Sequence, residues 1–403
     1  MKVLFLSISS LGHLSGNSIS LDLLREVRAH GHELYVVSAL EKRANTDTYL
    51  SEEEGASVLR VKIGNNKKTG PIRKGITTLT TPSKYIKAIK KYFRGVHFDL
   101  VIYPTPPITL SKVVRFIKKR DKAESYLILR DIFPQNAVDI GMLAKTGTAG
   151  LLYRRFRKIE KKLYAISDRI GCMSRANVEY LLRHNPEVDR EKVGILANSV
   201  TPRDLRISAE ERKNIRKQYG IPEKACVYVY GGNLGRPQGV PYILDCLKLL
   251  LNRSDAYFLI VGDGTEYPRL AAFFKNYSPR NMKLMKRIPK EDYDRLVAGC
   301  DVGLIFLDKR FTIPNFPSRL LPYMQSALPV IAATDRSTDV GKVIVEGGFG
   351  FWCESRDPED FLKIIDAVKR EEFADMGKRG YDYLLSHYTA DIAYKAVFDK
   401  FDK

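Results

Sequence analysis

The sequence predicts an α/β protein of two domains, each a parallel sheet covered by helices. Three observations carry that expectation. The chain has 403 residues, enough for two domains that each bury a core. Short apolar runs such as ELYVVS and AYFLIV alternate with segments whose apolar residues recur at helical spacing. That alternation then starts afresh after the polar passage Val200–Arg212, which reads as the linker.

Lys2–Ser9 reads as the first strand and Ser10–Asn17 as a loop containing Gly12 and Gly16. Ser18 or Ser20 caps a helix that buries Ile19, Leu23, Leu24 and Val27, and Gly31 ends it. With Glu33–Ser38 as the next strand, this is a βαβ unit. The first turn lacks the G-x-G-x-x-G spacing, so a dinucleotide cofactor is not indicated. Val58–Ile63 is a strand, followed by a basic, hairpin-like stretch; Leu100–Tyr103 and Ser125–Leu129 are buried strands. Arg130 and Asp131 stand at the end of the latter, where parallel strands present groups to a ligand crevice. Asp131 is therefore expected to orient an acceptor or take a proton, with Arg130 as its charge partner; the alternative is a plain loop ion pair. Arg169–Met173 and Val193–Ala197 complete the first set of strands, with a helix from Ser174 between them.

In the second half, strand Cys226–Tyr230 runs into Gly231-Gly232-Asn233-Leu234-Gly235-Arg236, and helix Val240–Leu251 follows. Strand Ala256–Val261 turns at Gly262-Asp263-Gly264 into a helix from Glu266. Lys283–Lys286, helix Pro289–Ala298 and strand Val302–Phe306 come next. They lead to IPNFPSRLLPYMQSALPVIAATD at Ile313–Asp335. There Ser318 is expected to cap a helix bearing Leu320, Leu321 and Met324, with Val330–Ala333 as a strand after Pro329. A helix start with Arg319 one residue inside suits a phosphate, though a capped surface helix with a solvated Arg would read the same way. Ala390–Phe401 is the last helix.

Composition is that of a globular protein, 44% hydrophobic and 28% charged. No apolar run approaches the roughly 18 residues of a membrane span. The opening MKVLFLSIS reads as a strand and not a signal peptide. Cys172, Cys226, Cys246, Cys300 and Cys353 show neither pairing nor metal-ligand spacing, so a cytoplasmic protein without zinc or disulfides is expected. The net charge is +20, and +16 of it lies in residues 1–200. Lys62–Gly95 holds ten basic residues and no acidic one, interleaved with Tyr85, Tyr92 and Phe93, and YRRFRKIEKK at Tyr153–Lys162 is a second basic run. Both suit an anionic membrane surface; a solvated helix face is the plain alternative. No nucleic-acid-binding module is present in the sequence, so nucleic acid is not an expected partner.

Five segments together resemble a known family: LSISSLGHLSGNSISLDLLREVRAHGHEL, RDIFPQNAVDIG, YGGNLGRPQGV, LIVGDGTE and NFPSRLLPYMQSALPVIAATD. The chain resembles a GT-B glycosyltransferase of the retaining family 4. It is similar to the branch that adds N-acetylated amino sugars, such as N-acetylfucosamine, in bacterial capsule and O-antigen assembly. The resemblance implies two Rossmann-like domains facing a central cleft. Residues 1–200 would form an acceptor- and membrane-facing domain, residues 201–385 a nucleotide-sugar donor domain, and residues 386–403 a helix returning to the first. It implies a UDP-sugar donor and a polyprenyl-diphosphate-linked saccharide acceptor, at the inner face of the cell membrane, with no metal or other cofactor.

By that resemblance, Gly231 and Gly232 approach the diphosphate, with Asn233, Asp263 and Gly264 beside them. Arg287 and Ile288 hold the nucleobase. Asn315, Phe316, Pro317, Ser318 and Arg319 face the donor sugar and diphosphate, while His13, Gly16 and Asn17 with Arg130 and Asp131 face the acceptor. The sequence also departs from the family. Its two usual glutamates fall at Pro314 and Pro322, its phosphate-binding Arg and Lys at Asn233 and Gln238, and its active-site His at Arg130. Arg236 and Arg319 are then expected to supply the charge that offsets a diphosphate. A non-catalytic sugar-nucleotide-binding subunit or a GT-B sugar-nucleotide epimerase would share most of these features.

Overall fold

The structure, a computed structural model, describes residues 1–65, 70–399 and 401. Lys67 and Lys68 of the basic stretch, and the last helix's expected passage through Lys400, lie outside the described residues. Two compact units are present, Met1–Val200 with Ala390–Lys403, and Thr201–Thr389.

The first unit holds β1 (Lys2–Leu6), α1 (Ile19–Ala29), β2 (Glu33–Glu41), β3 (Tyr49–Glu53), β4 (Ala56–Ile63), α2 (Pro71–Tyr92) and β5 (Leu100–Thr105). There follow α3 (Ser111–Asp121), β6 (Glu124–Leu129), α4 (Gln135–Asp139), α5 (Gly147–Ile166), β7 (Arg169–Cys172), α6 (Arg175–His184) and β8 (Val193–Ile195). Its sheet runs β3-β4-β2-β1-β5-β6-β7-β8, parallel except for β3 against β4. Strands β1 and β5 are buried on both faces, which is why they read as unbroken apolar runs. Ser18 caps α1, its side chain accepting from Leu21 N at 3.3 Å.

The second unit holds α7 (Ala209–Tyr219), β9 (Cys226–Asn233), α8 (Val240–Leu249), β10 (Ala256–Asp263), α9 (Tyr267–Tyr277), β11 (Met282–Met285), α10 (Lys290–Ala298) and β12 (Val302–Phe306). It continues through α11 (Leu320–Gln325), β13 (Val330–Thr334), α12 (Val340–Glu346), β14 (Gly350–Glu354), α13 (Pro358–Ala367) and α14 (Phe373–His387). Its strands are all parallel, in the order β11-β10-β9-β12-β13-β14. The expected linker is shorter than Val200–Arg212, because Ser208 and Glu211 form a capping box that starts α7 inside it.

The last helix, α15 (Ala390–Phe398), belongs to the first unit and packs on α1. Ala390 N donates to Val200 O at 2.9 Å. Tyr394 stacks on His30 at 3.8 Å between ring centroids, and its hydroxyl lies 2.8 Å from His32 Nε2. Phe398 is fully buried and stacks on His32.

Two expectations fail here. The hairpin-like stretch is the 22-residue helix α2, with Pro82 inside it. Of its aromatics only Tyr92 is partly exposed, its hydroxyl donating to Thr48 O at 3.1 Å, and the other two are core residues. Tyr85 is fully buried, its hydroxyl donating to Ser7 O at 2.5 Å, and Phe93 packs edge-on against Tyr35 and Phe98 in the core. Among the described residues no helix is long and apolar enough to cross a membrane. All five cysteines are buried.

Because Phe398 fills a closed position, Phe398→Ala is expected to cost about 3–5 kcal/mol of stability. Urea unfolding followed by circular dichroism measures it.

Candidate functional site

Strand order in the second unit reverses at β9. Strands β10 and β11 extend to one side of it and β12 to β14 to the other. The loops leaving β9 and β12 therefore diverge, and a crevice at such a reversal is where open α/β sheets take ligands. Strand β9 ends on Gly231-Gly232-Asn233 at that point.

Both glycines are required by what stands against them. A Cβ on Gly231 would overlap the Tyr293 hydroxyl. Gly232 has φ +126°, open to glycine and strained for other residues, and a Cβ there would sit 3.7 Å from the Arg319 guanidinium.

Arg319 is the chemical centre of the site. Its Nη2 donates to Gln238 Oε1 at 2.7 Å, and its Cζ lies 4.4 Å from the centroid of the Tyr230 ring. The Tyr230 hydroxyl lies 3.0 Å from the same Gln238 Oε1, so one buried amide fixes both side chains. Nη1 is closed off from solvent and has no hydrogen-bond partner among the described residues. No carboxylate makes an ion pair with Arg319 among those residues either. Burial pushes the Tyr323 hydroxyl up to about 12 and raises Tyr230 and Tyr293 as well, so the phenols around the guanidinium stay neutral. Arg319 is thus a half-buried cation met by a neutral amide and an aromatic face and by no carboxylate, an environment that an anionic ligand complements.

The surrounding loops are tied to one another. Asp335, after β13, accepts from Ser337 N and Thr338 N at 2.9 Å each and from the Thr338 hydroxyl at 2.9 Å. Thr338 Oγ1 in turn accepts from Asn315 N at 3.1 Å, which holds the proline-rich loop. Burial pushes the Asp335 carboxyl up to about 6 despite these donors. After β12, Asp308 takes both arms of Arg310, at 2.9 and 2.7 Å, and its backbone N donates to Pro237 O at 3.0 Å. Gly264 leaves no room for a side chain against Leu234 O, which also accepts from Glu266 N at 2.9 Å. Asp263 Oδ1 accepts from Gly264 N at 2.8 Å.

Ser318 does not cap α11. The helix begins at Leu320, Arg319 occupies the cap position in helical conformation, and Leu320 N bonds Pro317 O at 3.3 Å. A tight backbone turn through the proline-rich loop does the work expected of the hydroxyl. Ser318, Asn233, Arg236 and Arg287 are exposed, Pro317 and Ile288 half-buried, and Phe316 is buried against Tyr388. Of the two arginines expected to offset a diphosphate, the structure sets Arg319 against the glycines.

In the first unit the strand order reverses between β1 and β5. The loop after β1 carries His13, Gly16 and Asn17. Arg25 Nη1 donates to Leu14 O at 3.1 Å and Gly16 O at 2.8 Å, holding this loop from α1. The buried Glu53–Arg60 pair braces it from β3 and β4: Glu53 accepts from Leu14 N at 3.2 Å and Arg60 donates to Gly12 O at 3.3 Å. His13 is exposed, Nδ1 lying 2.8 Å from the Ser15 hydroxyl. Arg130 and Asp131 attract each other through space, without a salt bridge between them among the described residues. Arg130 Nη2 donates to Ser20 Oγ at 3.0 Å, and its Nε has no partner among the described residues. Burial raises the Asp131 carboxyl above the usual carboxylate range, with Arg130 opposing the shift through space. Arg25, Glu53, Arg60, Tyr230, Gln238 and Tyr293 are shaping residues that sequence reasoning missed. Only Gln238 left a signal, as an amide where the resembled family carries lysine.

Residues 211–382, within the second unit, match the family model described as glycosyl transferases group 1. The chain is 24% identical over 311 residues to WbjE of Pseudomonas aeruginosa, named as a glycosyltransferase, covering 77% of this chain and 76% of that one. It is 21% identical over 358 residues to WcaI of Escherichia coli K12, whose name places it in colanic acid biosynthesis, covering 85% and 86%. HepE of Anabaena, solved with UDP and glucose, superposes with a TM-score of 0.72 at 14% identity, covering 100% of this chain and 99% of that one. The fold is therefore GT-B. Within it, residues 211–382 of the second unit are similar to the glycosyl transferases group 1 family.

Gln238→Glu would set a carboxylate against Arg319 and cancel its charge. Inorganic pyrophosphate binding, measured by calorimetry, is expected to weaken by about tenfold or more, the loss of one charged hydrogen bond.

Proposed function

We propose that the chain is a retaining glycosyltransferase of bacterial surface-polysaccharide synthesis. It moves a sugar from a UDP-sugar to a polyprenyl-diphosphate-linked saccharide at the inner face of the cell membrane. The observation that carries this reading is the unpaired Arg319 guanidinium held against the Gly231–Gly232 bend. It asks for a compact anion where the strand order reverses, and a nucleotide diphosphate fits. Likeness to HepE, solved with UDP, supports the nucleotide, and likeness to WbjE and WcaI supports the polysaccharide setting. The resemblance of the sequence supports an N-acetylated amino sugar such as N-acetylfucosamine.

In this reading the donor binds the second unit. Gly231 and Gly232 let the backbone approach the diphosphate, Arg287 and Ile288 hold the base, and Asn315–Ser318 face the sugar. The acceptor binds the first unit at His13, Gly16 and Asn17, and Asp131 orients its hydroxyl. Burial raises that carboxyl, which strengthens the hydrogen bond it accepts from the hydroxyl. The acceptor oxygen bonds to the anomeric carbon as the bond from that carbon to the β-phosphate oxygen breaks. The hydroxyl proton passes to the departing phosphate, and UDP leaves on the face that was attacked. Arg319 stabilises the charge that develops on the phosphate, so no divalent cation is required there.

A second reading, a sugar-nucleotide-binding subunit without turnover, draws on Pro314 and Pro322, which stand where the resembled family has carboxylates. Purified protein incubated with UDP-sugars and a lipid-linked saccharide decides between them. Transfer with retained anomeric configuration, surviving EDTA, is expected. Binding of UDP-sugars with no transfer across the panel would establish the second reading, and loss of transfer in EDTA would contradict the role of Arg319.

A further inference from the structure

We propose that the exposed face of α5, with the loop that leads into it, is the surface by which the first unit docks on an anionic bilayer. This deepens the membrane setting of the proposed function and depends on that reading only for which membrane is met. Vesicle binding needs no turnover, so failure of one claim is separable from failure of the other.

The face has two zones. At its start, Leu151 and Leu152 are 63% and 45% exposed, and Met142 on the preceding loop is 65% exposed. The rest is cationic: Arg154, Arg155, Lys158 and Lys162 are all exposed, and none has an ion-pair partner among the described residues. Arg157 and Lys161 lie in the same run but are neutralised, by Glu160 at 2.6 Å and Glu187 at 2.9 Å. Beside these cations is an open groove of about 500 Å³ lined by Tyr153 and Ala165, by five basic side chains from Arg154 to Lys162, and by the single carboxylate of Glu187, which is paired with Lys161. Its size and sign suit a phosphate headgroup.

The opposite face of α5 explains why these groups stay outward. Leu163 and Tyr164 are buried, and the buried Glu160 accepts from the Tyr164 hydroxyl at 2.6 Å. The helix is locked in rotation, with its apolar start and cationic length turned to solvent. The apolar zone also extends to α2. Its exposed Ile76 and Leu79 flank Thr78, whose carbonyl accepts from Thr109 at 3.4 Å in the short turn Ile108–Leu110, and α5 packs on that turn too. Exposed aliphatics beside unpaired cations match an acyl boundary beside anionic headgroups. A solvated helix face would need no such aliphatics, and a nucleic-acid groove would favour aromatics in their place. The C-terminal half of α2, equally basic, lacks this pairing because it carries no exposed aliphatic among the described residues.

Sedimentation with vesicles of 30% phosphatidylglycerol in phosphatidylcholine, against phosphatidylcholine alone, tests the assignment on the full chain. The wild type is expected to bind the anionic vesicles and to be released by salt. R154E/R155E/K158E/K162E should weaken binding by at least about 100-fold, given on the order of tenfold per cation near the headgroups. L151Q/L152Q should weaken it at constant charge. K84E/K87E/K90E/K91E on α2, the matched control, should bind as the wild type does. All ten substituted positions are exposed, and an unchanged thermal melt verifies folding of each variant. Equal binding by the α5 charge variant and the wild type overturns the proposal. So does loss of binding in the α2 control alone, or a wild type that ignores vesicles and instead dimerises through Leu151 and Leu152.

Discussion

The site of the second unit depends on one electrostatic fact: a half-buried guanidinium with no carboxylate to answer it. Arg319 lies over the Tyr230 ring, is fixed by Gln238, and keeps one nitrogen free beside Gly232. An anionic ligand complements that environment. Much of the local architecture follows from holding it there. Gly231 gives way to Tyr293, Gly232 is held by its positive φ, and the amide of Gln238 supplies an acceptor without a charge that would cancel it. A lysine at position 238 would stand against Arg319 and repel it.

The loops around Arg319 are braced from outside the crevice. Asp335, Thr338 and Asn315 form one chain of hydrogen bonds and Asp308 with Arg310 another. They fix backbone where prolines have removed donors. In the proposed function, a donor site built this way works through positioned backbone and a single fixed charge. It does not need side-chain carboxylates at positions 314 and 322. The first unit uses the same economy in its β1 loop, where Arg25 and the Glu53–Arg60 pair hold carbonyls and amides around Gly12 to Gly16.

The α/β class and the placement of most strands were legible because buried parallel strands leave unbroken apolar runs, and β5, β9 and β12 are of that kind. Helix α2 was not legible: Gly75, the threonine-rich ITTLTT and Pro82 all argue against a helix locally, and packing on β4 overrides them. Tyr85 and Phe93 were misread because helical spacing alone does not tell which face turns inward. Strand β3 is polar and antiparallel, a pattern that a search for buried parallel runs passes over. In the site, Arg319 could be singled out from its place before a helix. Its holders could not, since Gln238 lies 81 residues away and only the fold brings the amide to it. Ser318 failed as a cap for a local reason, the proline-rich loop having already closed the first turn.

The central claim is that Arg319 reads the second phosphate of a nucleotide. Calorimetric titration of the wild type and Arg319→Gln with UDP and with UMP tests it most directly. The wild type should favour UDP by on the order of tenfold or more, the worth of one charge-assisted contact, and the substitution should abolish that preference while leaving UMP affinity nearly unchanged. An undiminished preference for UDP in Arg319→Gln would contradict the account.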